Sequence, residues 1–335
     1  MTMPTPLCPN PMQIHSIHQE TADVWTLELI AQDFYPYLPG QYALVSIRDS
    51  DTSLRAYTIS SSPGLSRFIT LTVRCLTGGE GSTWLTHEVK PGNTLWLSDA
   101  QGEFTCANKA DNHYLMLAGG CGVTPIMSMS RWILARQPDS HLIVFYNVRS
   151  PSDVVFAEEW QQLSNRYPQQ LTLHLMFEND AVEGQLSGRI SQQLLAEKVP
   201  DIAQRTVMTC GPSAYMNAVE KISLSMGVPN ERFHKEQFHT AAECISGDEP
   251  QISLIIRSLN QTFTTPVGTT LLFALEQNKV PVIAACRAGV CGSCKTKVIK
   301  GQYTTTSQMS LTQDEIDQGY VLACSCQLQG DTELA

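Results

Sequence analysis

The sequence predicts three modules in series. These are an antiparallel β-barrel over residues 1–108, an α/β domain built on a parallel sheet over 109–238, and an α+β domain over 251–335, with a linker at 239–250. Three observations predict it. Short alternating apolar runs separated by turn residues fill the first hundred or so positions. From about residue 113 apolar strands alternate with helical stretches. Five of the 11 cysteines fall within the last 50 residues. The length of 335 residues by itself allows two or three domains, at roughly 150 residues each.

In the first module the runs are Val24 to Leu29, Tyr42 to Ile47, Arg55 to Ser60, Phe68 to Arg74 and Thr94 to Ser98. They are punctuated by Leu38-Pro39-Gly40, Ser62-Pro63-Gly64, Gly78-Gly79 and Pro91-Gly92. Five or six short strands at this spacing favour a small closed barrel. In the second module the expected strands are Tyr114 to Ala118, Leu142 to Val148, Leu171 to Phe177 and Thr206 to Cys210. Helices are expected over Pro125 to Ala135, Pro151 to Leu163 and Ser213 to Met226. Such alternation implies a parallel sheet covered by helices. The third module carries strands at Ile252 to Ser258 and Gln261 to Pro266, a helix over Thr270 to Asn278, a cysteine-bearing loop and a strand near Thr296 to Ile299.

Composition excludes several functions. Lys plus Arg is 22 against 32 for Asp plus Glu, a formal net charge of −10, whereas general nucleic-acid binding needs a surplus of cations. The first 20 residues contain no Lys or Arg and no apolar block, so no secretory signal is expected. No uncharged apolar run approaches the roughly 18 residues of a membrane span. The expectation is a soluble cytoplasmic protein.

Cys286, Cys291 and Cys294 give the spacing C-x4-C-x2-C, and Cys324 follows after 29 further residues. This is the plant-type ferredoxin spacing for one [2Fe–2S] cluster held by four thiolates. Gly289 and Gly292 let one loop wrap three sulfurs with its amides turned inward. A structural zinc site made from Cys291, Cys294, Cys324 and Cys326 is the alternative. It leaves Cys286 and the glycines unexplained, so Cys326 is read as a surplus thiol. The segment from about 252 resembles a plant-type ferredoxin domain.

Arg55-Ala-Tyr57-Thr58 lies on one expected strand, and Gly78-Gly-Glu-Gly81-Ser82-Thr83 precedes a helical run, Trp84 to Val89. Gly119-Gly120-Cys121-Gly122-Val-Thr124-Pro125 sits between a strand and a helix, and Cys210-Gly211-Pro212 closes a later strand. Taken singly, each has a plain structural reading as a surface charge, a core aromatic, a tight turn or a packed thiol. Together, the last two, about 90 residues apart, resemble the nicotinamide motifs of the ferredoxin–NADP reductase superfamily, and the first two resemble its flavin motifs.

The resemblance implies roles. Arg55 would neutralise the FAD pyrophosphate, Tyr57 would lie against the flavin and Thr58 would hydrogen-bond it. Thr72, Val73 and Arg74, on the strand before the glycine loop, would contact it through backbone groups and the Arg74 side chain. Gly81, Ser82 and Thr83 would offer amides and hydroxyls to phosphate at a helix N-terminus. Gly120, Gly122, Thr124 and Pro125 would receive the nicotinamide nucleotide, with Cys121 in a slot often held by Thr or Ser. Cys210, Gly211 and Pro212 would border the carbon that gives up hydride, and Glu236 and Phe238 would end the module near the flavin. Arg149, after the second sheet strand, would lie near the adenosine ribose. An Arg there can hold a 2′-phosphate, but without a basic cluster NADH is favoured over NADPH.

The runs RAYTIS, AGGCGVTPIMSM, VMTCGP and AACRAGVCGSCKTKV are most similar to the superfamily members that serve hybrid-cluster protein. That similarity implies an NADH-dependent electron-transfer reductase with FAD and a [2Fe–2S] cluster, passing electrons to that partner protein. The reductase component of an oxygenase or demethylase, and a cluster-based redox sensor, are the alternatives, and FMN in place of FAD is open. Arg287, Lys295, Lys297 and Lys300 cluster in or just after the cysteine loop. They either steer an acidic partner or form a solvated face.

Overall fold

The computed structural model describes residues 3–109, 111–237, 250–284, 287, 289, 292–308 and 310–335. Cys286, Cys291, Phe238 and the linker up to residue 249 lie outside the described residues. The chain forms two compact units, one from Met1–Asp49 with Tyr57–Phe238 and the other from Ser50–Ala56 with His239–Ala335.

The first unit begins with an antiparallel sheet of β1 (Asn10–Thr21), β2 (Val24–Ala31), β3 (Tyr42–Ser46), β4 (Leu54–Thr58), β5 (Ile69–Arg74) and β6 (Thr94–Leu97). Their order is β4-β3-β6-β1-β2-β5, and a bridge between Ile59 and Leu71 joins the two ends. Closure removes the exposed strand edges that would otherwise invite mispairing. The core inside is made of Met12, Ile14, Leu27, Leu29, Val45, Leu71 and Leu97. The barrel expectation holds, and β1, for which the sequence gives no clean alternating run, is its longest strand. Its register shifts between Ile14 and Ser16, so the inward positions lose the strict period of two that marks a half-buried strand. Helix α1 (Glu80–Thr83) runs straight into a single π-helical turn, Trp84–Glu88.

The same unit continues into a sheet of β7 (His113–Gly119), β8 (His141–Val148), β9 (Leu171–Phe177), β10 (Leu186–Ser187), β11 (Thr206–Gly211) and β12 (Phe233–Gln237), in the order β10-β9-β8-β7-β11-β12. All its pairs are parallel. Strands buried on both faces read as near-continuous apolar runs, as Tyr114-Leu-Met-Leu-Ala118 does, every residue of which is 0% exposed. Helices α2 (Val123–Arg136), α3 (Ala157–Arg166), α4 (Gln192–Lys198) and α5 (Ser213–Ser225) connect the strands.

The helix expected over Pro151 to Leu163 differs. A 3-10 turn at Pro151–Asp153 is followed by a break, and α3 starts at Ala157. Phe156 is left-handed, with φ of 60°. Its N–H donates to Glu20 Oε2 at 3.2 Å, and the Arg131 guanidinium lies 5.3 Å from its ring centroid. Partners from two other elements hold a conformation that local helix propensity would not choose.

The second unit carries β13 (Gln251–Ile256), β14 (Gln261–Pro266), β15 (Lys295–Lys300), β17 (Tyr320–Leu322) and β19 (Thr332–Leu334), ordered β14-β13-β19-β15-β17. A small pair, β16 (Tyr303–Thr305) with β18 (Cys326–Leu328), and helices α6 (Leu271–Gln277) and α7 (Gln313–Asp317) complete it. Helix α6 buries Leu271, Leu272, Ala274 and Leu275 against Leu254, Val298 and Leu322. Among the described residues, no helix is long and apolar enough to cross a membrane.

Candidate functional site

In the parallel sheet the two glycine motifs meet at the carboxyl ends of β7 and β11, where nucleotides bind in open α/β sheets. Cys210 pairs in register with Ala118 on one side and Glu236 on the other. A Cβ added to Gly122 would fall 2.1 Å from the Cys210 carbonyl oxygen, and one on Gly211 would fall 3.0 Å from Gly119 Cα. The glycines therefore let two strand ends touch backbone to backbone, and Gly120, at φ of 53°, takes the left-handed turn between strand and helix. Thr124 is buried and its hydroxyl donates to the Cys121 carbonyl at 3.1 Å. Pro125 lies in the first turn of α2, where its missing N–H costs nothing. Pro212 immediately precedes α5.

Cys210 is fully buried. Burial, reinforced by Glu236, holds its thiol well above the ordinary range. Glu236 is itself pushed up to about 8 by burial, and its Oε2 has no hydrogen-bond partner among the described residues. At neutral pH the carboxyl is protonated, a donor beside a neutral thiol.

On the barrel, Thr58 is 4% exposed and its hydroxyl has no partner among the described residues. A buried hydroxyl of this kind needs a hydrogen-bond acceptor or donor, which a flavin ring bound against this strand would supply. Tyr57 packs half-buried at the margin of the barrel core. The Arg55 guanidinium donates to the Leu54 carbonyl at 2.8 Å. Thr72 turns its hydroxyl toward Thr26 and Ser60, at 2.9 and 2.8 Å, and Val73 is buried, so both offer a ligand only their backbone. Ser82 departs from the expectation of a hydroxyl offered to phosphate. It accepts from the Leu76 N–H at 3.1 Å and donates to the Gly79 carbonyl at 3.0 Å, which holds the glycine loop closed. Gly81 and Thr83 flank it in α1.

Arg74 reaches away from the barrel toward the nucleotide sheet. Its Nη1 lies 3.3 Å from where a Gly120 Cβ would stand, and its Nε is 3.3 Å from Asp23 Oδ2. The same Asp23 oxygen is 3.5 Å from Arg149, which also pairs with Asp153 at 2.7 Å. Asp23 and Asp153 carry no motif that would single them out as nucleotide residues. The only local signal is Ser150-Pro-Ser-Asp153, a capping box, which forms as such.

In the second unit Cys294 and Cys324 are buried with their sulfurs 3.3 Å apart. That is far beyond the ~2.05 Å of a disulfide and nearer to the ~3.8 Å edge of a tetrahedron with ~2.3 Å metal–sulfur bonds. The Gly289 N–H donates to Cys324 Sγ at 3.1 Å, as an amide facing a cluster thiolate should. Gly289 and Gly292 have φ of 72° and 75°. These residues fit an iron–sulfur cluster. Cys326 is 0% exposed on β18, its thiol pushed up to about 12 by burial. The basic group expected around the loop is largely spent within the unit. Arg287 pairs with Glu276 and Lys295 with Glu315, and Lys297 lies over the Tyr320 ring.

Three family models match the chain: an oxidoreductase FAD-binding domain over residues 12–106, an oxidoreductase NAD-binding domain over 116–221 and a 2Fe-2S iron-sulfur cluster binding domain over 254–329. The chain is 56% identical to NADH oxidoreductase HCR of Escherichia coli, over 100% of both chains. It is 28% identical to the glycine betaine monooxygenase reductase subunit of Chromohalobacter salexigens, covering 91% of this chain and 89% of that one. Its fold matches phthalate dioxygenase reductase with a TM-score of 0.66 at 22% identity, over 97% of both chains. Taken with the strand-end geometry and the paired thiols, these relationships show that the chain belongs to the NADH oxidoreductases of the ferredoxin reductase family, which join FAD-binding, NAD-binding and [2Fe–2S] domains in one electron-transfer polypeptide.

Proposed function

We propose that this reductase works in the cytoplasm and delivers electrons from NADH to hybrid-cluster protein. FAD and the [2Fe–2S] cluster, when bound, supply the conversion of a two-electron hydride donor into single-electron delivery. The chain supplies position. Arg55, Tyr57, Thr58, the backbone of Thr72, Val73 and Ser82, and Gly81 and Thr83 would hold FAD. Gly120, Gly122, Thr124, Pro125, Gly211 and Pro212 would hold NADH, with Arg149 at its adenosine end. Cys210 would border the nicotinamide and keep water out without forming a covalent bond, since its thiol stays neutral. Glu236, protonated, would present a donor there. Cys286, Cys291, Cys294 and Cys324 would ligate the cluster. Arg74, at the Gly120 turn, is assigned to the nicotinamide nucleotide as well as to the flavin edge. Module boundaries at 108, 238 and 251 belong to the same reading, supported by a family model that ends at 106 and by β13 starting at Gln251.

The observation that carries the NADH site is the Gly122–Cys210–Gly211 contact, which brings two strand ends and a helix start together. The 56% relative's printed name supports NADH as donor. The assignment of hybrid-cluster protein rests on the sequence runs most similar to its reductases. Buried thiols at Cys8, Cys106 and Cys326 suit a reducing compartment. The test is anaerobic NADH titration of the pigmented protein, followed by mixing with oxidised hybrid-cluster protein or with an oxygenase terminal component. Faster reduction of hybrid-cluster protein supports the proposal, and preference for the oxygenase component overturns the partner.

A further inference from the structure

A cavity of about 540 Å³ opens in the first unit between β2 and β5 of the barrel, the segment 61–68, the C-terminal half of α2 and the length of α3. Its size lies within the roughly 300–1,000 Å³ of small-molecule sites. Ala135, on its α2 wall, stands 13 residues beyond Gly122, or ~20 Å along the helix from the strand-end site. None of the residues assigned to FAD or NADH lines it. Three guanidiniums do, each over an aromatic ring of the same wall: Arg67 on Phe68 at 5.5 Å, Arg131 on Phe156 at 5.3 Å and Arg166 on Tyr167 at 5.4 Å. The carboxylates beside them are all engaged. Glu159 accepts from Arg131 Nε and Nη2, both at 2.5 Å, and Glu28 accepts from the Ser16 hydroxyl. Glu20 accepts from the Thr26 hydroxyl at 2.7 Å and the Phe156 N–H at 3.2 Å. Arg131 Nη1 donates to the Ser60 carbonyl, so that guanidinium is fully used. Arg67 and Arg166, exposed at the mouth, make no hydrogen bond or ion pair among the described residues.

We propose that this cavity is a second ligand site, which binds a small aromatic carboxylate with its ring among Phe68, Leu163 and Tyr167 and its charge on Arg67 and Arg166. Stacking occupies the face of a guanidinium and leaves its N–H edge, whose fork matches a carboxylate in two parallel bonds. A cation finds no unengaged carboxylate here. An inorganic anion would leave the apolar walls in water, whereas a ring covers them. The charge of the lining also limits the ligand. Three guanidiniums face three carboxylates, so a single negative charge suits the mouth, and a dianion would meet Glu20, Glu28 and Glu159 without enough free cations to offset them. Since both arginines face solvent, screening keeps the charge effect modest.

The test is calorimetry on the holoenzyme with 2-naphthoate, and with 2-naphthamide as its neutral isostere. The acid should bind about tenfold more tightly than the amide, the combined effect of two exposed ion pairs, and the preference should shrink as salt is raised. Arg67→Gln with Arg166→Gln should erase the preference. Arg189→Gln, which removes an exposed guanidinium paired with Glu178 outside the cavity, should leave it intact. Ala135→Trp fills the cleft without changing its charge and should abolish binding of both compounds. FAD content and flavin reduction by NADH should match the unaltered protein in every variant, which separates a lost site from a lost fold. Absence of binding, equal affinity for acid and amide, or an unchanged preference in the double variant overturns the proposal. Displacement of naphthoate by 5′-AMP would put the acid in the nucleotide site, and displacement by inorganic phosphate would leave a bare anion site; either result overturns it as well.

Discussion

Replacing Gly122 with Ala tests the strand-end site most directly. The added methyl would stand 2.1 Å from the Cys210 carbonyl oxygen, 2.3 Å from its carbon and 2.6 Å from the Gly211 nitrogen. Ordinary contact begins near 3.4 Å, so the backbone must part by more than an ångström. All three atoms belong to β11 or its end, which β7 and β12 hold by parallel pairing, so no side-chain rotation relieves the clash. A displacement of about 1 Å at a reacting centre costs about 10²-fold in rate. Overpacking costs about 1–3 kcal/mol, which lowers the melting temperature by roughly 2–4 °C per kcal/mol in a unit of this size. Anaerobic stopped flow should show flavin reduction by NADH slowed about a hundredfold, with the cluster spectrum unchanged because its ligands belong to the other unit. Gly184→Ala is the control. Its φ of 89° is equally left-handed, but nothing lies within 4 Å of its added methyl, so it should lose about 1 kcal/mol of stability and no rate. Flavin reduction within threefold of the unaltered protein in Gly122→Ala would refute the close-approach argument.

Three further outcomes follow from the geometry. Alanine at Cys286, Cys291, Cys294 or Cys324 should abolish cluster iron while FAD stays bound and ferricyanide reduction survives; iron analysis on Cys326→Ala should find the cluster intact. Cys210→Ala should slow flavin reduction by about tenfold, a packing loss next to the reacting atoms, with FAD content unchanged, and an unaltered rate would reduce Cys210 to filler. Glu236, held at about 8 by burial against ~4.3 in an unfolded chain, binds a proton in the fold that the unfolded chain has released. Its stabilising contribution is fully present below about pH 4.3 and is lost as pH rises to about 8. Melting temperatures from pH 5 to 9 should therefore decline more steeply in the unaltered protein than in Glu236→Gln, and parallel profiles would place the titration elsewhere.

What the sequence reveals and what it conceals divide along contact distance. The loop from Cys286 to Cys294 and the turn from Gly119 to Pro125 are local devices, in which spacing and glycine content must be written within a few residues, so they are legible. The apolar strand β7 is legible for the same reason, because burial on both faces demands an unbroken apolar run. The break before α3 is not legible, because Glu20 and Arg131 hold Phe156 from 136 and 25 positions away in the chain. The hydroxyl of Ser82 shows the limit even inside a motif: the residue type was readable, but its hydrogen-bond partners, Leu76 and Gly79, were not.

A cation at the end of β8, here Arg149, has opposite meanings according to whether a carboxylate faces it, and its two carboxylates come from different places. Asp153 is four residues on and could have been read from the capping box that fixes it. Asp23 comes from the turn between β1 and β2, 126 residues earlier, in the barrel rather than in the nucleotide sheet. Asp23 also pairs with Arg74 beside the glycine turn, so one carboxylate from the barrel joins a cation of its own sheet to a cation of the parallel sheet.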